Sequence, residues 1–203
     1  MRSSYGNRQS QKVNRMAVTA LLTAAVIALQ IISTFVKFGA VNITLALTPI
    51  LVGGALYGVG TGAFLGGVFG AITLLMGVAG WDGGTVLFLM GQNAFATVAI
   101  CLIKGIAAGA AAAAVYQAVA KASNKNLTAS IAASIVCPIV NTAVFVGMMA
   151  LFFMSALTAW ANGANMMYYI LFGLCGINFV IELIVNLVLS AAVNQIVLFR
   201  QKQ

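Results

Sequence analysis

TVLFLMGQNAFATVAICLIKGIAAGAAAAAVYQAV, residues 85–119, is the stretch on which the topology of this chain turns. Its only charged residue is Lys104. As one helix at about 1.5 Å per residue it would reach roughly 50 Å, well beyond the ~30 Å hydrocarbon core of a bilayer. Splitting it at Lys104-Gly105 makes seven spans and puts the two chain ends on opposite faces. Keeping it as one span makes six and puts both ends on the same face.

The charges decide between the two. The chain has 10 Lys and Arg against 2 Asp and Glu, a net charge of +8. Most of the basic residues fall in three places: the N-terminal tail (Arg2, Arg8, Lys12, Arg15), one polar break (Lys121, Lys125) and the C-terminal tail (Arg200, Lys202). Basic residues gather on the cytoplasmic side of membrane proteins. Six helices place all three clusters on that side; seven do not. The excess before the fourth span is then an outer loop or a re-entrant segment, which is tolerated when protein buries it.

Composition gives the class. Of 203 residues 63% are hydrophobic and 6% charged, and several apolar stretches are long enough to cross a bilayer. The expected fold is an all-α integral membrane protein, a six-transmembrane-helix bundle with N- and C-termini cytoplasmic. A basic tail over 1–15 leads into one membrane domain over 16–198, and a second tail covers 199–203. The net positive charge is juxtamembrane and spread over three segments, so its partner is anionic membrane lipid, not nucleic acid. The first apolar stretch follows a basic tail as a signal peptide would, but it runs about 20 residues without a small-residue cleavage site. That reads as a retained span.

The helices are expected at about 16–36, 44–57, 61–77, 92–119, 128–156 and from beyond residue 163 to about 198. The loops between them hold Lys37 to Ile43, Gly80-Trp81-Asp82-Gly83-Gly84 and Trp160-Ala161-Asn162-Gly163. Two helix faces are smooth. Gly62, Gly66 and Gly70 repeat at four-residue spacing, and so do Ala20, Ala24 and Ala28. Such faces let backbones approach closely within the membrane. Each suits either internal packing or docking of another membrane subunit.

Much chemistry is excluded. No GxxxxGK[ST] phosphate loop is present, so the chain is not its own ATPase. It has no GxSxG elbow, no HExxH helix and no His, and an enzymatic activity is not expected. The three cysteines lie singly in apolar helices and read as small buried hydrophobes. No metal or other cofactor is expected. The chain is also short for a two-fold secondary transporter.

Four charges remain: Lys37 and Asp82 in outer loops, Lys104 and Glu182 within spans. An ionisable side chain at membrane depth costs about 2.5–3.5 kcal/mol and normally faces a cavity or a partner. Lys104 and Glu182 either pair with each other or hold a polar ligand, Lys104 taking a carboxylate and Glu182 a hydroxyl or amide. Gln92, Asn93, Asn141, Asn178 and Asn186 add neutral groups that serve interhelical bonds or that ligand. Trp81 and Trp160, with Tyr168 and Tyr169, form either an interfacial aromatic belt or a lid over a pocket.

Val41 to Ile50, continuing through Gly53-Gly54-Ala55-Leu56-Tyr57-Gly58 to Thr61-Gly62-Ala63-Phe64-Leu65-Gly66-Gly67-Val68-Phe69-Gly70, resembles helices 2 and 3 of the substrate-binding S-components of energy-coupling factor (ECF) vitamin transporters. Asn93 to Thr97, Cys101 to Gly105, Asn178 to Glu182 and Asn186 extend the likeness over nearly the whole chain. The resemblance implies six helices, an outward-facing pocket capped by the outer loops, and capture of a vitamin-like small molecule at a bacterial plasma membrane. It also implies a transmembrane coupling protein and two cytoplasmic ATPase subunits as partners, with Ala20, Ala24 and Ala28 contacting the coupling protein. Release inside would follow toppling of the loaded subunit. The helix 2–3 pattern is most similar to pantothenate-type members. The candidate ligand-binding residues are Lys37, Asn42, Trp81, Asp82, Asn93, Lys104, Asn141, Trp160, Asn178 and Glu182. The competing expectations are a self-contained channel or facilitator and a non-transporting accessory protein.

Overall fold

The structure, a computed structural model, describes residues 2–35, 37–38, 41–42, 44–123, 125–161, 163, 165, 168–169 and 176–201. Helix α1 runs Arg2–Phe35, so the basic tail is the first part of the first helix. A minimal antiparallel pair, β1 (Lys37–Phe38) with β2 (Val41–Asn42), follows where a loop is expected. The remaining helices are α2 (Leu47–Tyr57), α3 (Val59–Val78), α4 (Thr85–Ser123), α5 (Asn126–Phe152), α6 (Met154–Ala161) and α7 (Gly176–Gln201). Five stretches among the described residues are long and apolar enough to cross a membrane: Lys12–Phe35, Val59–Val78, Thr85–Ser123, Asn126–Phe152 and Phe179–Phe199. The chain is a helical membrane bundle.

The expected second span, α2, has only 11 residues and is shorter than a full crossing. It is apolar all round, and it touches α1, α3, α4, α5 and α7. A helix with no polar face belongs inside a bundle, and Leu47, Ile50, Leu51 and Val52 are buried there. Gly58, at φ +90°, is the single-residue turn from α2 into α3. The left-handed region is cheap only for glycine, and a Cβ there would also meet the Gln117 amide.

Both chain ends lie at one end of the bundle. Arg15 in α1 donates to the Tyr57 carbonyl oxygen at 3.3 Å and to Thr61 Oγ1 at 3.1 Å, which ties the start of α1 to the α2–α3 turn. Its guanidinium also lies 5.6 Å from the Tyr57 ring centre. Gly58 sits against Gln117 near the end of α4. Val193 and Val197 of α7 share a core cluster with Tyr116 and Ala129. Arg15, Lys121 and Lys125 thus gather at this end, as the even helix count requires.

The 85–119 stretch is not split at Lys104-Gly105, as the six-helix reading expects, but the loop expected to reach residue 91 needs correcting. Helix already starts at Thr85, and the one non-helical residue is Asn93, at φ −156° and ψ 95°. Asn93 Oδ1 accepts a hydrogen bond from the Ala96 amide at 3.0 Å, so it caps the membrane-crossing part that follows. The excess length is accommodated by an outer helical segment set off at this break. Asn93→Ala should cost about 0.5–2 kcal/mol, the usual value of an N-cap, measured as a lower melting temperature in detergent.

A second correction concerns the end of the fifth span, expected near residue 156. α5 stops at Phe152, and α6 occupies the place of the expected Trp160 loop. Phe153, Ala156 and Leu157 are fully buried with Leu89, Ile100 and Met149. Those apolar contacts hold α6 against the outer ends of α4 and α5.

The two small-residue faces have different fates. On α3, a Cβ added to Gly62 would meet the Gly109 carbonyl, one on Gly66 the Gly105 carbonyl, and one on Gly70 the Cys101 carbonyl. These glycines are internal packing: they bring the α3 and α4 backbones into contact. On α1, Ala20, Ala24 and Ala28 are exposed. That face is covered by nothing within the described residues.

Candidate functional site

A cavity of about 360 Å³ opens between α1, α3, α4, α5 and α7, on the side of the core away from Arg15 and Lys121. α1 contributes Gln30, α3 Phe69 and Thr73, α5 Asn141, Thr142 and Phe145, and α7 Glu182. α4 contributes a face that descends from Thr85 through Leu89 and Thr97 to Lys104. Thr44, just before α2, and Asp82, in the α3–α4 turn, complete the lining.

Lys104 is the deepest of the α4 lining residues, because α4 enters from the cavity end. Its Nζ lies 5.3 Å from the Phe145 ring centre and 6.0 Å from that of Phe69. Two ring faces attract a cation but do not neutralise it. Glu182 is 9% exposed, and its Oε1 has no hydrogen-bond partner. The Thr44 side chain interacts with its carboxylate. No salt bridge joins Lys104 and Glu182, although both line the same cavity.

Two further amides face this space. Gln30 donates through Nε2 to Thr73 Oγ1 at 3.3 Å, while its Oε1 is buried without a partner. Asn141 Oδ1 is likewise buried and unpartnered. Asp82 differs, since its Oδ1 accepts from the Gly84 amide at 2.9 Å and its Oδ2 from the Val86 amide at 2.8 Å. Its charge is held at the positive N-terminal end of α4, so it shapes the mouth of the cavity.

Of the sequence candidates, Asp82, Lys104, Asn141 and Glu182 therefore come together. Asn93 caps α4 and does not line the cavity. Trp81 stacks on Phe35 with ring centres 5.1 Å apart, tying the end of α1 to the α3–α4 turn. Trp160 packs on Phe88 at 5.5 Å, tying α6 to the outer segment of α4. Both tryptophans sit at the cavity end without lining the cavity. The side chains of Lys37, Asn42 and Asn178 lie outside the described residues. Gln30, Phe69, Thr73 and Phe145 were missed. Gln30 was visible as the only polar residue without a hydroxyl between Met16 and Val36; the two phenylalanines gave no signal among so many.

A second, shallow groove of about 600 Å³ runs between α1 and α3 at the basic end, lined by Arg15, Met16, Ala20, Gly60 and Phe64 among others. It is continuous with the exposed alanine face.

Taken together these features define a multi-pass membrane protein built around a partly enclosed polar cavity. Residues 14–193 match the family model described as ECF transporter, substrate-specific component. The chain belongs to that family: it is a substrate-binding subunit of an ECF transporter, and the family is one of transport components, not of enzymes. No curated protein matches the sequence.

Proposed function

We propose that the chain captures a vitamin or related micronutrient, pantothenate being the leading candidate, from outside a bacterial cell. It then delivers the ligand with a transmembrane coupling protein and two cytoplasmic ATPase subunits. Both chain ends are cytoplasmic in this reading, so the cavity faces outward. The observation that carries it is that Lys104 and Glu182 share one cavity without a direct salt bridge. Two ionisable groups that face one cavity at membrane depth without a direct bond between them leave room for a polar ligand. A self-contained channel fits less well. Between the cavity and the basic end Val26, Leu47, Leu51, Ala112, Ala133 and Val193 are buried, and the family matched is one of substrate-specific components.

Mass spectrometry of small molecules released from the purified protein tests the reading directly. A vitamin-like compound, together with copurifying coupling and ATPase subunits, supports it; absence of both would sink it. The exposed face of α1 gives a separate test. Ala24→Leu should reduce copurification of the coupling subunit about tenfold, because a leucine keeps the two backbones apart. Ligand binding should stay unchanged, since Ala24 is remote from the cavity lining. Equal copurification would remove α1 from the docking surface.

A further inference from the structure

We infer that the ligand of this cavity is an organic acid whose anionic group sits at Lys104 and whose body supplies hydrogen-bond donors to Gln30, Asn141 and Glu182. This rests on the substrate-capture reading above and narrows it to a chemical class.

The cavity has an imbalance that a ligand must mirror. Its cation, Lys104, lies over two ring faces and interacts with the Glu182 charge without a direct salt bridge. Its acceptors are in excess. The orientation of Gln30 is fixed by Thr73, whose hydroxyl already donates to the Phe69 carbonyl oxygen at 2.9 Å. Thr73 Oγ1 can then only accept, so Gln30 must present Nε2 to it and leave Oε1 open. Glu182 Oε1 and Asn141 Oδ1 are open as well. Asp82 differs from this set, because each of its oxygens already accepts from a backbone amide.

Each class of ligand meets these groups differently. A cation would set like charge beside Lys104. A neutral polyol would satisfy the acceptors and leave the ammonium without a directly bonded anion. A simple fatty acid would do the reverse and leave three buried acceptors empty, each at a cost of about 1–3 kcal/mol. An acid bearing hydroxyl, amide N–H or ammonium groups meets both requirements.

Calorimetric titration of the full chain in detergent with three probes tests this. Pantothenate is an acid with hydroxyl and amide donors, panthenol keeps the donors but replaces the carboxylate with an alcohol, and butyrate is an acid without donors. Pantothenate should bind at least tenfold tighter than panthenol, and butyrate should not bind. Lys104→Met should abolish the preference for pantothenate over panthenol, whereas Lys104→Arg, which keeps the charge, should retain it. Gln30→Leu should weaken both ligands while preserving the preference. Panthenol binding as tightly as pantothenate, or a preference that survives Lys104→Met, overturns the proposal. If none of the probes binds, the compound released on denaturation decides. An acid with donors upholds the class and displaces only pantothenate. A neutral or cationic compound overturns the class and leaves the capture reading standing. No bound compound and no copurifying subunits overturns both.

Discussion

Lys104→Met should weaken binding of the captured ligand roughly 10- to 150-fold, while the ligand-free protein loses no stability. The affinity change corresponds to about 1.5–3 kcal/mol, the usual worth of a hydrogen bond to a charged group. The stability half of the prediction separates two roles for the residue. If Lys104 served mainly to neutralise Glu182, its removal would leave a buried carboxylate alone, which is strongly destabilising. No direct salt bridge joins the two: Lys104 acts on Glu182 through space only, and Glu182 Oε1 already lacks a hydrogen-bond partner. Replacing a membrane-embedded ammonium with a thioether of similar length also removes a cost of about 2.5–3.5 kcal/mol. The melting temperature of the empty protein should hold or rise. Equilibrium dialysis with the copurified ligand and thermal melts of the empty protein measure the two halves. A melting temperature that falls steeply with affinity unchanged would assign Lys104 to the scaffold.

The sequence made the direction of the chain legible through where its charges are absent as much as where they are. Arg15, Lys121 and Lys125 had to share one face, and they do. The charge pattern also predicted that residues 85–119 cross once. What it could not reveal was how the excess length is absorbed. Asn93 reads as one more amide at membrane depth, and only its extended backbone and its bond to the Ala96 amide show it to be a cap. α6 was illegible for a related reason. Met154 to Ala161 is as apolar as the span before it, and the break at Phe153 depends on packing against Leu89 and Ile100.

The cavity was half legible. Lone charges in apolar helices announce themselves, so Lys104 and Glu182 stood out. Gln30 and Thr73 form their arrangement across two helices that sequence cannot align. The tryptophans were recognisable as outer-end residues. Their partners, Phe35 and Phe88, brace the ends of α1 and α4, and no periodicity would have chosen them. The small-residue faces show the same limit. Glycines on α3 and alanines on α1 have the same four-residue spacing, yet one set is internal and the other exposed.

Gly66→Leu should leave little folded protein, and even Gly66→Ala should lower the melting temperature. Lipid tails are as apolar as leucine, so helices in a bilayer are held by close packing and not by hydrophobic burial. α3 and α4 achieve that closeness where Gly66 and Gly105 each present backbone to the other. A methyl on Gly66 lands on the Gly105 carbonyl, and neither is a flexible side chain that can move aside. Overpacking of this kind costs about 1–3 kcal/mol, or roughly 2–12 °C in a chain of this size. Leucine adds three more carbons to the same spot. Gly105 adjoins Lys104, and Phe69 lies one turn beyond Gly66, so separating the helices also moves the cation and one of its rings. Surviving Gly66→Ala protein should therefore bind ligand more weakly than its stability loss alone implies. Gly60, beside which a Cβ would meet nothing, is the control. Gly60→Ala should melt with the parent protein. Size-exclusion profiles and thermal melts of the three variants give the comparison, and equal melting of Gly66→Ala and Gly60→Ala would mean that the α3–α4 contact is not what holds the cavity walls together.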